Sequence, residues 1–312
     1  MQYALTLTAD PVSRPLGPEH VREAVAALRA AGARHQGTTW LGRGCALDLV
    51  LAAPAADPVR AGVDHALAGA GVDIAIQPAA GRRRRLLVAD MDSTVIGQET
   101  LDELADMAGL REKVAPITDR AMRGEIDFEA ALRERVRLLA GHPAALLATL
   151  VEQRITLTPG AGVLVRTMRA HGARTALVSG GFTAVTGPVA HRAGFDVHHA
   201  NRLVVVNGRL TGTVENPVLG ADAKRAILHR LCSECAIAPV DALAVGDGAN
   251  DMPMLAAAGT GVAFRARPRV AASARFRVDH GDLTALLYLQ GFREDEFAGH
   301  GAVGNPRASQ PG

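Results

Sequence analysis

Aromatic residues and lysines are both scarce in this chain of 312 residues. Aromatic side chains make up 3% of it, so Ala, Leu and Val must fill most of the core. Of the 34 basic residues, only Lys113 and Lys224 are lysines. An ammonium is a compact point charge, whereas a guanidinium is a planar fork, so each lysine is a candidate for a position that needs a point charge.

Features that would place the chain in a membrane or an oxidising compartment are also missing. No run of about 18 apolar residues predicts a membrane span, and residues 1–11 lack the basic start and apolar stretch of a secretory leader. The three cysteines, Cys45, Cys232 and Cys235, cannot all pair, which favours a reducing cytoplasm. Cys232 and Cys235 have the spacing of a metal or redox pair. Because two further zinc ligands at suitable spacing are missing, two thiols on an ordinary helix are the favoured interpretation.

The charge balance argues against polyanionic partners. A formal net charge of +2 gives no electrostatic reason to bind nucleic acid or an anionic membrane. We therefore expect the chain to bind neither nucleic acid nor a membrane, and we expect a small-molecule substrate.

Residues 1–80 have the pattern of a ferredoxin-like α+β domain. Hydrophobic spacing predicts strands at 2–8, 40–41, 46–52 and 73–77 and helices at 18–31 and 57–70. This βαββαβ order is typical of a ferredoxin-like unit. Residues 81–85 follow with four consecutive arginines, and are interpreted as a solvated linker.

From residue 86 to about residue 298 the pattern becomes that of a Rossmann-like α/β domain. Short apolar runs are typical of strands buried on both faces of a parallel sheet, and they occur at 86–89, 175–178 and 242–245. Helical stretches separate them, as in repeated βαβ units with helices on both faces of the sheet.

Three other segments complete the domain organisation. A mostly helical insert at about 97–157 separates the first two buried strands. Asn207-Gly208 predicts a tight hairpin turn within residues 201–214. The tail, residues 299–312, is rich in Gly, Pro and Ala and is expected to be disordered.

Chemically reactive side chains follow all three buried strands. They are Asp90, Ser179 and Asp247. Because the carboxyl ends of parallel strands form one edge of a sheet, we expect these distant residues to converge in a single crevice.

Four aspartates are expected at that edge. Asp90 and Asp92 repel each other unless a cation or a proton lies between them, and Asp247 and Asp251 add two more acids. Mg²⁺ is a hard cation that takes carboxylates, phosphate oxygens and water as ligands. Such a metal shields the charge of a phosphate, which lets a carboxylate attack phosphorus and form an aspartyl-phosphate.

The remaining candidates fit phosphoryl transfer. Ser179-Gly180-Gly181 offers a hydroxyl and backbone N–H groups before a helix, and Lys224 offers a point charge. Each feature alone is more often a turn, a cap, a loop or a solvated lysine. Their order at the strand ends of one α/β pattern favours catalysis, with Asp90 as nucleophile.

The sequence resembles the haloacid dehalogenase-like superfamily. The residues that carry the resemblance are Asp90-Met91-Asp92-Ser93-Thr94, Ser179-Gly180-Gly181, Lys224, and Gly246-Asp247 with Asn250-Asp251. Within the superfamily, residues 86–297 resemble the phosphoserine phosphatase family, most specifically at 90–99, 121–128 and 261–268. The resemblance implies Mg²⁺-dependent hydrolysis of O-phosphoserine, the last step of serine biosynthesis.

The resemblance also implies a role for each matched residue. Asp90 is the nucleophile and a metal ligand, and Asp92 is the general acid and base that also binds the metal through its backbone carbonyl. The other implied residues are Asp247 for the metal, Asn250 and Asp251 in support, and Ser179, Gly180 and Lys224 for the phosphoryl oxygens.

The insert is expected to act as a cap that selects the substrate. Phosphoserine carries an ammonium, which suits Glu99, and a carboxylate, which suits Arg135. Met122 and Phe128 are expected to wall the pocket. Spacing alone favours solvated helix charges for Glu99 and Arg135, and the functional assignment depends on the resemblance.

The N-terminal domain resembles ACT-like domains by its topology, without a clear ligand motif. Binding of serine, a role as spacer, and a homodimer through this domain all stay open. Two other activities are also open: transfer of the phosphoryl group to another alcohol, and hydrolysis of a different phosphomonoester. A non-catalytic amino-acid sensor is a third alternative, and the intact set of acids argues against it.

Overall fold

The computed structural model describes residues 1–122 and 125–299, with the backbone alone at Met122. The predicted tail lies outside the described residues apart from Gly299. None of the described helices is long and apolar enough to cross a membrane.

The N-terminal unit is a four-stranded antiparallel sheet with two helices, and the predicted ferredoxin-like order is confirmed. Its elements are β1 (Gln2–Ala9), α1 (Pro18–Ala30), β2 (Arg34–Gly42), β3 (Ala46–Ala52), α2 (Asp57–Ala66) and β4 (Val72–Pro78). The strand order is β2-β3-β1-β4. Strand β2 is longer than the predicted 40–41, because its polar residues line an exposed edge and give no apolar run.

Both faces of this sheet are buried. Leu5 and Leu7 of β1 pack with the helices α1 and α2 in one apolar cluster. Thr6 points to the opposite face, since successive side chains of a strand alternate. On that face Ala46 and Ala75 belong to the same cluster as the core of the rest of the molecule. The N-terminal sheet is therefore a layer between its own helices and the main body.

The main body is a six-stranded parallel sheet with helices on both faces, which confirms the predicted α/β fold. The strand order is β12-β11-β10-β5-β6-β7. The strands are β5 (Leu86–Ala89), β6 (Arg174–Phe182), β7 (Val197–Asn201), β10 (Ala242–Gly246), β11 (Thr260–Phe264) and β12 (Phe276–Val278). The helices around them are α7 (Ala161–Ala170), α8 (Thr183–Ala193), α9 (Ala221–Glu234), α10 (Met252–Ala257), α11 (Pro268–Ser273) and α12 (Ala285–Leu289). The three predicted strands are the adjacent strands β10, β5 and β6.

The described residues of the insert, 97–157, form four helices. They are α3 (Thr100–Met107), α4 (Arg111–Met122), α5 (Phe128–Leu138) and α6 (Ala145–Gln153). A two-stranded hairpin, β8 (Leu203–Val206) and β9 (Arg209–Val214), packs against α5. Its turn residues Asn207 and Gly208 have φ values of 50° and 72°, as a type I′ turn requires.

Residues 81–85 are interpreted from the sequence as a solvated linker. In the structure Arg82 and Arg84 of this segment instead form hydrogen bonds with both domains. The guanidinium of Arg82 donates to Asp48 in a 2.6 Å ion pair between largely buried side chains. Arg84 donates to the hydroxyl of Thr260 and to the carbonyl of Val240. A run of charged residues stays solvated only where no hydrogen-bond acceptors of the protein lie next to it. Here both domains supply such acceptors.

Candidate active site

The nucleophile candidate lies directly after the central strand β5. The N–H of Asp90 still donates to Val245 O of the neighbouring β10, at 2.9 Å, so the sheet fixes its backbone. A tight turn, Met91–Val95, follows, closed by the N–H of Ile96, which donates to Met91 O at 3.0 Å, and within it Ser93 has a φ of 54°. This turn reverses the chain and keeps Asp90 and Asp92 at the carboxyl edge of the sheet, as the sequence predicts.

Lys224 joins two of the acids. Its Nζ lies 2.5 Å from Oδ1 of Asp90 and 2.7 Å from Oδ1 of Asp251, and its side chain is fully buried. The second oxygen of Asp251 accepts from the N–H of Gly248 at 3.1 Å. A buried ammonium needs such partners, because an unpaired charge in the interior is very costly.

Asp247 completes a cluster of three carboxylates. One oxygen of each of Asp90, Asp247 and Asp251 lies within 4.8 Å of the others, and all three residues are buried. The hydroxyl of Thr94 donates to Oδ1 of Asp247 at 3.3 Å, and the N–H of Arg267 donates to its backbone carbonyl at 3.2 Å. The acids therefore converge as predicted, from β5, from β10 and from the turn before α10.

The electrostatics of this cluster fit a divalent cation. Burial and the charge of Asp251 raise the pKa of Asp90 well above its usual range, against the effect of Lys224. Burial, Asp251 and Glu99 raise the pKa of Asp247 to about 6. One lysine does not neutralise three carboxylates, and a hard cation bound by their oxygens would stabilise the charged forms.

Asp92 has a different environment from Asp90. Burial and the charge of Glu99 raise its pKa to about 7, although the hydroxyl of Thr100 donates to Oδ1 and acts in the opposite direction. A carboxyl with this pKa exchanges protons near neutral pH. General acid and base catalysis at neutral pH uses groups with a pKa in this range.

A buried asparagine anchors the predicted phosphate loop by hydrogen bonds. Ser179 accepts from the N–H of Gly181 through Oγ at 2.8 Å. Asn201 donates to Gly180 O at 2.8 Å and accepts from the N–H of Leu219 at 2.7 Å. It therefore ties the loop after β6 to the segment that begins α9, which carries Lys224.

The cap brings its predicted side chains to the same crevice. A Cβ atom on Gly180 would lie 2.7 Å from Cζ of Phe128, so the ring of Phe128 packs on the phosphate loop. Glu99 is exposed at the rim and accepts from the hydroxyl of Ser93 at 2.7 Å. Burial lowers the pKa of Arg135, whereas the charges of Asp102, Glu99 and Asp92 act in the opposite direction, and its Nε donates to Ala131 O at 3.2 Å. The side chain of Met122 lies outside the described residues.

Sequence reasoning assigned no role to three residues that orient the site. These are Thr94, Thr100 and Asn201. The two threonines lie close to the Asp90–Asp92 pair, and Asn201 starts the predicted hairpin segment. A small polar residue beside a strand end is a weak signal, since only the fold shows which groups it contacts.

Comparison with known proteins identifies the family. A profile of the haloacid dehalogenase-like hydrolases matches residues 87–256, more than half of the chain. The chain belongs to this family. Its family members with solved structures include a probable phosphoserine phosphatase from Vibrio cholerae, 31% identical, with a TM-score of 0.75 over 93% of this chain and 86% of that one. A substrate-bound phosphoserine phosphatase complex is 39% identical, with a TM-score of 0.62 over 66% of this chain and 98% of that one.

Curated phosphoserine phosphatases also match this chain. A phosphoserine phosphatase from Streptomyces coelicolor is 39% identical over 269 residues, 86% of this chain and 65% of that protein. The chain spans 58% and 59% of the relatives from Archaeoglobus fulgidus and Mycobacterium tuberculosis. It therefore spans about three fifths of the length of these curated relatives.

Proposed function

We propose that this chain hydrolyses O-phosphoserine to serine and phosphate, the last step of serine biosynthesis. One observation carries the proposal: an anionic and a cationic side chain of the cap, Glu99 and Arg135, interact electrostatically with each other and with Asp92, two residues after Asp90. A phosphomonoester whose alcohol carries both an ammonium and a carboxylate matches this arrangement. The relatives named phosphoserine phosphatase support it.

The proposed reaction has two steps at phosphorus. A carboxylate oxygen of Asp90 forms a bond to phosphorus while the bond from phosphorus to the serine oxygen breaks, and Asp92 gives its proton to that oxygen. Water then attacks the aspartyl-phosphate as Asp92 takes its proton, which releases phosphate and restores Asp90. A related structure is described as an analogue of a phospho-aspartyl intermediate.

The carboxylate cluster would hold Mg²⁺. We assign the side chains of Asp90 and Asp247 and the backbone carbonyl of Asp92 as ligands. Asp251 takes a supporting role, because its two oxygens already accept from Lys224 and Gly248. When bound, the metal supplies positive charge that shields the phosphate from the attacking carboxylate.

The phosphoryl group and the serine moiety have separate partners in this proposal. Ser179, the N–H of Gly180 and Lys224 hold phosphoryl oxygens, with Asn250 in support. Glu99 binds the ammonium and Arg135 the carboxylate, and Phe128 walls the pocket. The cap, residues 97–157, closes over the substrate and excludes competing water.

Steady-state kinetics on a panel of phosphate monoesters with Mg²⁺ test the proposal. Phosphoserine should be among the best substrates by kcat/KM. Preference for a monoester without an amino acid would refute the substrate assignment. Product analysis with added alcohols distinguishes hydrolysis from phosphoryl transfer, and serine with free phosphate is the expected product.

Other predictions about the whole protein stay proposals. We infer a cytoplasmic location, which the free thiols of Cys45, Cys232 and Cys235 support. We place the domain boundaries at 1–80, 81–85 and 86–298. We propose that a homodimer through the N-terminal domain uses the exposed edge strand β2. Light scattering tests it, and a monomer mass refutes it.

A further inference from the structure

The N-terminal sheet carries a buried carboxylate that faces the main body. Asp73 lies in β4 and is 7% exposed. Its Oδ1 accepts from the N–H of Asp279 at 2.7 Å, its Oδ2 accepts from the N–H of Gly281 at 2.9 Å, and both oxygens accept from the N–H of His280. One side chain of the N-terminal domain therefore holds three consecutive backbone N–H groups of the turn after β12. Hydrogen bonds from N–H groups to an ionised carboxylate are stronger than those between two neutral groups.

This turn, residues 279–281, is linked to the loop that supports Asp247. Gly281 O accepts from the guanidinium of Arg265 at 3.1 Å. The N–H of Arg265 donates to Val278 O at 2.8 Å, and its φ of 43° lies in the left-handed region that an arginine rarely adopts. Two residues further on, the N–H of Arg267 donates to the backbone carbonyl of Asp247. The unusual backbone of Arg265 is thus fixed from the turn that Asp73 holds.

The same turn also leads to the point where the cap rejoins the body. The N–H of Leu283 donates to Pro159 O at 3.2 Å, and the N–H of Thr158 donates to Val95 O at 2.9 Å. Val95 ends the turn that begins directly after Asp90. Two separate sets of hydrogen bonds therefore connect residues 279–283 with the two segments that carry the proposed metal ligands.

We propose that Asp73 is a positioning residue. Through it the N-terminal domain fixes residues 265–267, which support Asp247, and residues 158–159, where the cap rejoins the body. The inference rests on the proposed function of Asp247 and Asp90. Asp73 touches no substrate. Its effect is geometric, because phosphoryl transfer is sensitive to small displacements of the groups around phosphorus.

Asp48 provides a matched control. It lies on the same face of the same sheet and is 4% exposed. Its oxygens accept from the hydroxyl of Thr6 and from Arg82, so these bonds go to the N-terminal domain and the linker. Asp48→Asn and Asp73→Asn therefore both weaken a buried carboxylate network, and only the second disturbs the turn at 279–281.

Kinetics and amide hydrogen exchange on the full-length protein test the inference. Both variants should unfold at a lower temperature. Where both are folded, Asp73→Asn should lower kcat/KM for phosphoserine roughly tenfold and speed exchange at Arg267 and Leu283. Asp48→Asn should keep kcat/KM and these exchange rates within about twofold of wild type. Equal losses in both variants, or an unchanged Asp73→Asn, would overturn the positioning role.

Exchange in the wild-type protein gives a result even if the variants fail to fold. The amides of 279–281 and of Arg267 should exchange in the same cooperative opening as those of β4, and independent fast exchange of Arg267 would overturn the inference. If the wild type hydrolyses no phosphomonoester, the proposed function fails, and the exchange data still decide whether Asp73 holds the turn.

Discussion

Asp90 and Asp92 lie two positions apart and have different chemistry because of their neighbours. Lys224 contacts Asp90 and favours its anionic form, against burial and the charge of Asp251, which raise its pKa. Glu99 and burial keep the pKa of Asp92 at about 7, which suits a proton donor. The sequence places both at the end of a buried strand and so predicts where they lie. It does not give their pKa values, which depend on contacts that only the folded chain makes: with Asp251 and Lys224 for Asp90, and with Glu99 and Thr100 for Asp92.

Replacing Arg135 by Ala tests substrate recognition. The variant should raise KM for phosphoserine roughly 10- to 150-fold, because a charge-assisted contact to the carboxylate is lost. The KM for phosphoethanolamine, which has the ammonium but no carboxylate, should stay near its wild-type value. Arg133→Ala is the matched control, since Arg133 lies on the same helix and pairs with Glu129 at 2.7 Å. An equal loss with both substrates would contradict the assignment.

The carboxylate cluster predicts how the stability of the metal-free protein depends on pH. Burial and neighbouring acids raise the pKa of Asp247 from 3.8 to about 6 in the folded state. Its stabilising contribution is therefore complete below about pH 4 and is lost as the pH rises through 6, on the order of 3 kcal/mol. Thermal unfolding with a chelator should show this loss, and Mg²⁺ should reverse it. Asp247→Asn should flatten the dependence, and identical pH slopes for the two proteins would contradict the account.

At the scale of elements, pattern predicts the centre of the sheet better than its edges. β5, β6 and β10 are apolar runs and were found from sequence. β7 contains His198 and His199, and β12 has three residues, so neither has the length or hydrophobicity that identifies a buried strand. The sequence also does not predict the contact between cap and body, since Phe128 and Gly180 come together only in the folded chain.

A methyl group at Gly180 should disturb the contact between α5 and the phosphate loop. Gly180→Ala places Cβ 2.7 Å from Cζ of Phe128, so the ring or the loop must move, and kcat/KM should fall roughly 10- to 100-fold. Phe128→Ala in the same chain should cost less than the sum of the two single losses. Gly220→Ala is the control, because its Cβ would lie at an ordinary 3.5 Å from the same ring. Strictly additive losses would exclude a clash with Phe128 as the cause.

At the scale of the whole molecule, the N-terminal domain packs tightly against the main body and is not an independent domain on a linker. Its strands were predicted from alternation, but Asp48, Asp73 and Gln77 look like ordinary outward-facing polar residues in sequence. In the fold all three are buried, and Gln77 donates to Leu289 O at 2.6 Å. The hydrogen-bond partners of Asp73 and Gln77 lie more than 200 residues away in the chain, so the local sequence pattern does not predict them.

This packing predicts a single unfolding transition. The second face of the N-terminal sheet shares its apolar cluster and its buried hydrogen bonds with the body, so neither part keeps a closed core alone. Calorimetry should therefore show one transition with equal calorimetric and van't Hoff enthalpies. Two resolved transitions would show that the units unfold independently.

The central claim is that Asp90 carries the phosphoryl group of phosphoserine during turnover. Rapid-quench mass spectrometry under single-turnover conditions, with Mg²⁺ and excess enzyme, tests it most directly. We predict a transient phosphoryl group on the peptide that contains Asp90, formed as serine is released and lost as phosphate appears. The Asp90→Asn variant should show neither this species nor turnover, with kcat at least ~10³-fold lower. Release of serine and phosphate together without a phosphorylated enzyme, or an active Asp90→Asn variant, would contradict the account.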